Sequence, residues 1–263
     1  MSGLQYEHGA ATGYDRAVGN LTRQLVPTLL KAAQLEPGLR VLDVGSGTGI
    51  AAEGAAAIVG ASGQIMATDI SPAMLEQARQ RLGNLANFAF SVEDAQAMSF
   101  PDASFDRVIC NMAVMYFRDP ARGLAEMRRV LRPGGRVAIS VNTSPTASMI
   151  SRVLPIIDRL LPNAKERSGP NSFDGSERHL RDLLRATGFV DEAAFVETLR
   201  MPFPSFDAYF GGVEQGAGNV GQEYMTLPEN IRRAVREETR RVVGDTGGAI
   251  ELMVETTFAG GLR

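Results

Sequence analysis

The sequence predicts a doubly wound α/β fold: a largely parallel sheet with helices on both faces. Two observations carry that expectation. Short apolar runs alternate with segments of helical periodicity from residue 21 to about residue 142. A glycine-rich loop, Gly45-Ser46-Gly47-Thr48-Gly49, joins the first apolar run to the helix after it.

The elements follow in order. Leu21, Leu25, Val26, Leu29, Leu30 and Ala33 fall on helical spacing, so residues 21–33 read as an amphipathic helix. Pro37-Gly38 ends it. Residues 40–44 form a first buried strand, and an Ala-rich helix runs from the glycine loop to about Val59. Residues 64–69 read as the second strand. Ser71-Pro72 opens the next helix, because Ser caps free amides and Pro suits the first turn. Leu75, Ala78 and Leu82 face inward, and Gly83 stops the helix. Strands over 87–92 and 105–110 flank a loop. Asp119-Pro120 starts a helix with Leu124, Met127, Val130 and Leu131 inward, and Pro133-Gly134-Gly135 turns into a fifth strand, 136–141. A helix is expected near 148–161. Asp174 and Glu177 suggest a capping box for a helix ending at Gly188. Residues 189–199 and 251–258 read as two further strands, interrupted by about fifty residues.

Length and composition fit one domain. The chain has 263 residues, 44% hydrophobic and 22% charged. Its net charge of −3 weighs against a dedicated nucleic-acid binder. The longest uncharged runs contain Gly, Ser, Thr or Asn, so no membrane span is expected, and the first residues do not resemble a secretory signal. One cysteine, Cys110, and two histidines, His8 and His179, leave little room for a disulfide framework or a zinc cluster, so no metal is expected. A cytoplasmic location follows as the expectation, with monomer and homodimer both open.

The acids are the informative residues. A dinucleotide fingerprint has the spacing G-x-G-x-x-G and sets pyrophosphate on a helix N-terminus. Here the spacing is G-x-G-x-G, and Asp43 lies two residues before the first glycine. A carboxylate at the loop mouth repels pyrophosphate and attracts a cation. Asp69 ends the second strand, where an acid accepts ribose hydroxyls. Glu93-Asp94 follow the third strand, where an Asp side chain suits an adenine amino group. Three acids with no basic phosphate anchor describe an adenosine ligand bearing positive charge. S-adenosylmethionine is such a molecule.

On these stretches, together with Asp69-Ile70-Ser71-Pro72-Ala73-Met74-Leu75, Ser104-Phe105-Asp106 and Leu131-Arg132-Pro133-Gly134-Gly135, the chain resembles the class I S-adenosylmethionine-dependent methyltransferases. It looks closest to the ubiquinone/menaquinone-type and related small-molecule branch. The resemblance covers about residues 38–142. It implies a Rossmann-like seven-stranded sheet whose last strand is antiparallel. It implies a single methyltransferase domain over 1–263, with an N-terminal arm and helix (1–35), a cofactor-binding core (36–142) and a C-terminal part (143–263). Asp43, Gly45 and Gly47 would then hold the methionine end, and Asp69 the ribose, with Ile70 and Met74 beside the adenine. Asp94 and Ala95 would contact the adenine edge, and Asn111 and Met112 would pass under the sulfonium. Ser46 and Glu93 complete the expected contacts. Tyr14 lies in an arm that folds over the cofactor in related enzymes.

Methyl transfer needs alignment and exclusion of water more than a strong catalytic group. No catalytic residue stands out; His8 and Tyr116 are the candidate bases, and His179 sits among arginines on a solvated helix. Adenine-N6 and glutamine methyltransferases resemble one another in an Asn-Pro-Pro-Tyr type motif. The corresponding stretch here, Asn111-Met112-Ala113-Val114, departs from it. The implied acceptor is an O, C or N of a small, hydrophobic molecule. A non-catalytic binding protein and an NAD(P) oxidoreductase are the competing readings. The insertion at 201–246 holds Phe203, Phe206, Tyr209 and Phe210, then a Gly-rich stretch, and is expected to act as a mobile lid over the acceptor. The Arg-rich segment after Pro228 is expected to be a solvated helix face.

Overall fold

The computed structural model describes residues 8–161 and 173–263, with side chains left out at 8–14, 16–18 and 218–219. A seven-stranded sheet dominates it, in the order β3-β2-β1-β4-β5-β7-β6. The strands are β1 (Arg40–Val44), β2 (Gln64–Asp69), β3 (Phe88–Val92), β4 (Phe105–Asn111), β5 (Leu131–Asn142), β6 (Val190–Phe203) and β7 (Ile250–Leu262). β1 to β5 pair in parallel, while β7 runs antiparallel to both β5 and β6. The strand order reverses between β1 and β4, which opens a crevice at their carboxyl ends.

Helices α1 (His8–Ala32), α2 (Ile50–Val59), α3 (Pro72–Leu82), α4 (Pro120–Val130), α5 (Leu154–Leu160) and α6 (Glu177–Ala186) cover the sheet. Adjacent strand residues feed opposite cores. Val41 and Ile109 join Leu25, Leu29 and Ala55 on one face, while Leu42 and Val108 join Leu124, Met127 and Leu180 on the other. Burial on both faces explains why these strands read as apolar runs rather than alternations. The caps follow the sequence at α3 and α4: Ser71 Oγ accepts the Met74 amide at 3.3 Å, and Asp119 accepts the Arg122 amide at 3.0 Å. At α6 the expectation needs correction. Ser176, not Asp174, is the cap and accepts the His179 amide at 3.3 Å; Asp174 accepts from the Ser176 amide instead.

The insertion between β6 and β7 is helical: α7 (Phe206–Glu214), α8 (Gly218–Thr226) and α9 (Glu229–Val242). Its aromatics turn inward. Phe206, Tyr209 and Phe210 are buried in the same core as Leu25 and Leu29 of α1, and Phe203 packs against it. The Phe206 and Phe210 rings stack at 5.2 Å, Phe210 meets Tyr224 edge-on at 5.4 Å, and the Tyr209 hydroxyl donates to the Met149 carbonyl at 3.1 Å. Each buried Phe contributes about 1.5–3 kcal/mol. These rings therefore fasten the insertion to the body of the fold. The aromatic wall expected of a lid over the acceptor is thus not formed by these rings, which fill the core instead.

The Gly-rich stretch is no open hinge either, since most of it lies in α7 and α8. A Cβ at Gly221 would fall 2.5 Å from the Gly216 carbonyl carbon, so glycine there permits close backbone packing. The Arg-rich face of α9 is more than solvated. Arg236 lies 5.2 Å over the Phe206 ring and pairs with Asp207 and Glu214.

Candidate active site

The loop after β1 owes its shape to positive φ at three glycines: +67° at Gly45, +55° at Gly47 and +83° at Gly49. At Gly45 space also matters, because a Cβ would lie 2.5 Å from the Ala113 Cβ. The loop is pinned by hydrogen bonds to the end of β2. The Ser46 amide donates to the Thr68 carbonyl at 2.8 Å, and the Gly47 amide to Asp69 Oδ2 at 2.9 Å. The Ser71 amide donates to Asp69 Oδ1 at 2.8 Å, so one carboxylate ties the glycine loop to the start of α3. Burial raises the Asp69 pKa even against these bonds.

Asp43 is fully buried, and neither of its carboxylate oxygens has a hydrogen-bond partner among the described residues. Burial and the nearby Asp69 charge push it up to about 7, against a smaller pull from the Ala52 amide. An unpartnered buried carboxylate is costly unless a ligand answers it.

A cavity of about 410 Å³ opens at the carboxyl ends of the strands. Gly45, Gly47, Asp69, Ile70 and Met74 line one side; Ile70 is 61% exposed at the rim, and Met74 is buried. Glu93, Asp94 and Ala95 line the part beyond β3, and Asn111, Met112 and Tyr116 the part beyond β4. Asp43 and Ser46 line a smaller adjoining space of about 30 Å³, which shares Gly45, Gly47, Asn111 and Met112 with the larger one and is bounded by Thr22 of α1.

Within this set the side chains differ in what they are free to do. Glu93 is already engaged: Ser91 Oγ donates to it at 2.8 Å, and Ser99 donates through Oγ at 2.6 Å and its amide at 3.0 Å. Burial pushes Glu93 up, but these bonds outweigh it and hold the carboxyl below its usual value. Asp94 is exposed and accepts from the Gln96 amide at 2.9 Å. Met112 adopts φ +55°, a left-handed conformation costing a non-glycine residue about 1–3 kcal/mol. Its amide is held by the Ser140 carbonyl at 3.0 Å and Ser140 Oγ at 3.1 Å, and the same hydroxyl donates to Asn111 Oδ1 at 2.6 Å. Buried Ser140 thus sets the path of the chain after β4.

The candidate bases fare differently. The side chains of His8 and Tyr14 lie outside the described residues. Burial pushes the Tyr116 hydroxyl up to about 12, so it keeps its proton at neutral pH and cannot serve as a resting base. His179 packs edge-on against Phe173 at 5.5 Å and does not line the cavity. Cys110 is buried and pushed up by desolvation. Sequence reasoning missed Thr22, Thr68, Gln96, Phe117 and Arg118 as lining residues. No spacing marks them. Gln96 is placed by accepting from the Asp119 amide at 2.8 Å through Oε1 and from Arg122 at 2.8 Å through its carbonyl.

A parallel sheet closed by an antiparallel β7, a glycine loop without pyrophosphate spacing and a buried acid at its mouth form the arrangement expected of the S-adenosylmethionine-dependent methyltransferase class. Comparisons with known proteins agree. Residues 42–139 match the family described as "Methyltransferase domain". The chain is 31% identical over 213 residues to the ubiquinone/menaquinone biosynthesis C-methyltransferase of Cellvibrio japonicus, covering 73% of this chain and 82% of that protein. It is 30% identical over 254 residues to the nocamycin O-methyltransferase of Saccharothrix syringae, covering 88% and 89%. The fold is shared with phosphoethanolamine N-methyltransferase 2 of Haemonchus contortus, with a TM-score of 0.60 and 19% identity, covering 98% of this chain and 58% of that one. The chain belongs to the class I S-adenosylmethionine-dependent methyltransferases, and its cofactor is S-adenosyl-L-methionine.

The residues present fit that cofactor. The unpartnered Asp43 carboxylate suits a cationic group, and nothing lies within 4 Å of where a Cβ on Gly47 would stand.

Proposed function

We propose that the chain moves a methyl group from S-adenosylmethionine to an O, C or N of a small, hydrophobic acceptor. The observation that carries the cofactor half is Asp43, buried and unpartnered at the mouth of the glycine loop. In this reading Asp43, Gly45, Ser46 and Gly47 hold the methionine end, and Asp69 accepts the ribose hydroxyls while keeping its bonds to the loop amides. Ile70 and Met74 flank the adenine, Glu93 keeps its loop in place, Asp94 and Ala95 meet the adenine edge, and Asn111 and Met112 pass under the sulfonium. Tyr14, which falls within α1 rather than in a separate arm, is assigned in this reading to cover the cofactor.

Bound S-adenosylmethionine supplies a methyl group already activated by its positive sulfur. The chain's own residues then align and exclude water. Met112, fixed by Ser140, sets one wall; Ala113, Tyr116 and Phe117 present apolar surface on the β4 side. Tyr116, protonated at neutral pH, positions an acceptor rather than deprotonating it. Two relatives named for C- and O-methylation support a small-molecule acceptor. The net charge of −3 supports the absence of a nucleic-acid partner. Among the described residues no helix is long and apolar enough to cross a membrane; a cytoplasmic place of action is part of this proposal.

Two measurements test this. Calorimetry is expected to show binding of S-adenosylmethionine and S-adenosylhomocysteine, with NAD and NADP far weaker; comparable affinity for NAD overturns the cationic-ligand assignment. Turnover of methyl-labelled S-adenosylmethionine over a panel of small hydrophobic acceptors is expected to yield a methylated product. Cofactor binding with no transfer to any of them favours a non-catalytic binding protein.

A further inference from the structure

A further small cavity of about 30 Å³, separate from the two described above, lies beyond the ends of β4 and β5 and is lined by Met115, Tyr116, Asn142, Ser144, Pro145, Ser151 and Phe173. Tyr116 is common to this cavity and to the large one. Asn142, the last residue of β5, carries a buried Oδ1 that has no hydrogen-bond partner among the described residues. The other end of its carboxamide is engaged, with Nδ2 donating to the Met115 sulfur at 3.8 Å. Its backbone is fixed as well. Gly175 packs so closely that a Cβ there would stand 1.9 Å from the Asn142 carbonyl oxygen.

An acceptor atom held out of water without a donor is a standing cost, and each such group in a folded protein calls for an explanation. Thr256, the register partner of Asn142 on β7, also keeps a buried hydroxyl without a partner among the described residues, but it does not line this cavity. The size of the cavity restricts the answer. About 30 Å³ is more than a water-sized group needs and small for a ring, so it takes a small polar group. The chemistry restricts it further. A carboxamide oxygen only accepts, so the visiting group must donate, as a hydroxyl or an amine N–H does. The surrounding Tyr116 and Phe173 rings and the Met115 thioether suit an apolar, flat body next to that group.

We propose that this cavity anchors a hydroxyl or amine N–H of the methyl acceptor, with Asn142 the specificity-determining residue and the acceptor's ring lying across Tyr116 toward the large cavity. This rests on the methyltransferase reading above.

Phenol and anisole serve as probes, since they share a ring and differ in the donor. Each is titrated by NMR into the full chain saturated with S-adenosylhomocysteine. Phenol is expected to bind on the order of tenfold more tightly than anisole. The Asn142 side-chain amide signal is expected to shift with phenol only. Asn142→Leu is expected to abolish the preference, and Asn142→Asp, which keeps an acceptor oxygen, to retain it. S-adenosylhomocysteine affinity is expected to stay unchanged in both variants. Equal binding of the two probes, no binding of either, or a preference that survives in Asn142→Leu overturns the proposal. The wild-type titration decides the matter even if a variant fails to fold. Failure of the wild-type chain to bind S-adenosylhomocysteine at all overturns the cofactor reading itself, a separate and visible result.

Discussion

The carboxylate of Asp69 accepts the Gly47 amide at 2.9 Å, across the gap between the ends of β2 and β1. With the Ser71 amide on its other oxygen, it holds the glycine loop in shape before any ligand arrives.

Asp69→Ala is therefore expected to act twice. Losing two amide bonds lowers thermal stability by about 1–2 kcal/mol, and losing the ribose contact weakens cofactor binding by about 1–3 kcal/mol. Thermal unfolding without ligand and calorimetry of S-adenosylhomocysteine binding separate the two. A variant that binds normally once folded makes Asp69 purely structural.

Asp43 predicts a pH dependence. Its carboxyl is pushed up to about 7 in the folded chain from an ordinary 3.8, so the folded state holds a proton that the unfolded state has lost between those values. The associated stability is fully present below about pH 4 and is lost as pH rises through 7. Asp43→Asn is expected to flatten that slope and to be more stable than wild type at pH 8, by on the order of 2 kcal/mol. Binding of the cationic cofactor favours the ionised carboxylate, so wild-type affinity is expected to rise from pH 5.5 to 8 with release of a proton. Asparagine at this position removes both effects. Calorimetry in buffers of different ionisation enthalpy measures the proton directly, and an affinity independent of pH contradicts the assignment.

Gly45→Ala places a methyl 2.5 Å from the Ala113 Cβ at φ +67°. The expected result is a loss of about 1–3 kcal/mol in stability together with a distorted loop and impaired cofactor binding. Unfolding and binding measured on one preparation check this.

Phe206→Ala and Phe210→Ala are expected to cost about 3–5 kcal/mol of stability each, because both rings are buried against α1 and α8. Cofactor affinity of the folded fraction is expected to hold. A raised acceptor KM with an unchanged melting temperature would restore these rings to a lid.

Much of the parallel core was legible in the sequence because its signals are local. Doubly buried strands must be apolar throughout, a capping Ser or Asp must precede its helix, and a turn with positive φ favours glycine, so β1, β2 and the starts of α3 and α4 stand where the pattern puts them. The acids at 43, 69, 93 and 94 were visible for the same reason, each at the end of a recognisable strand. What each acid does was not visible, because that depends on residues far away in the chain. Ser99 turns Glu93 into a loop tie, and Gly47 and Ser71 occupy Asp69.

The sequence by itself determined the alternation of strands and helices, the glycine loop and the charge at its mouth. Only the tertiary structure decided where the side chains of the less patterned half would face. Aromatics at 203–210 look the same in a sequence whether they wall a pocket or fill a core, since both uses reward apolar area. The contact with α1 and α8 sends them to the core. In the same way, Asn142 becomes a residue of interest only when β5, the Tyr116 segment and Phe173 close around it, because burial and an unmet hydrogen bond are properties of the assembled neighbourhood and not of the residue.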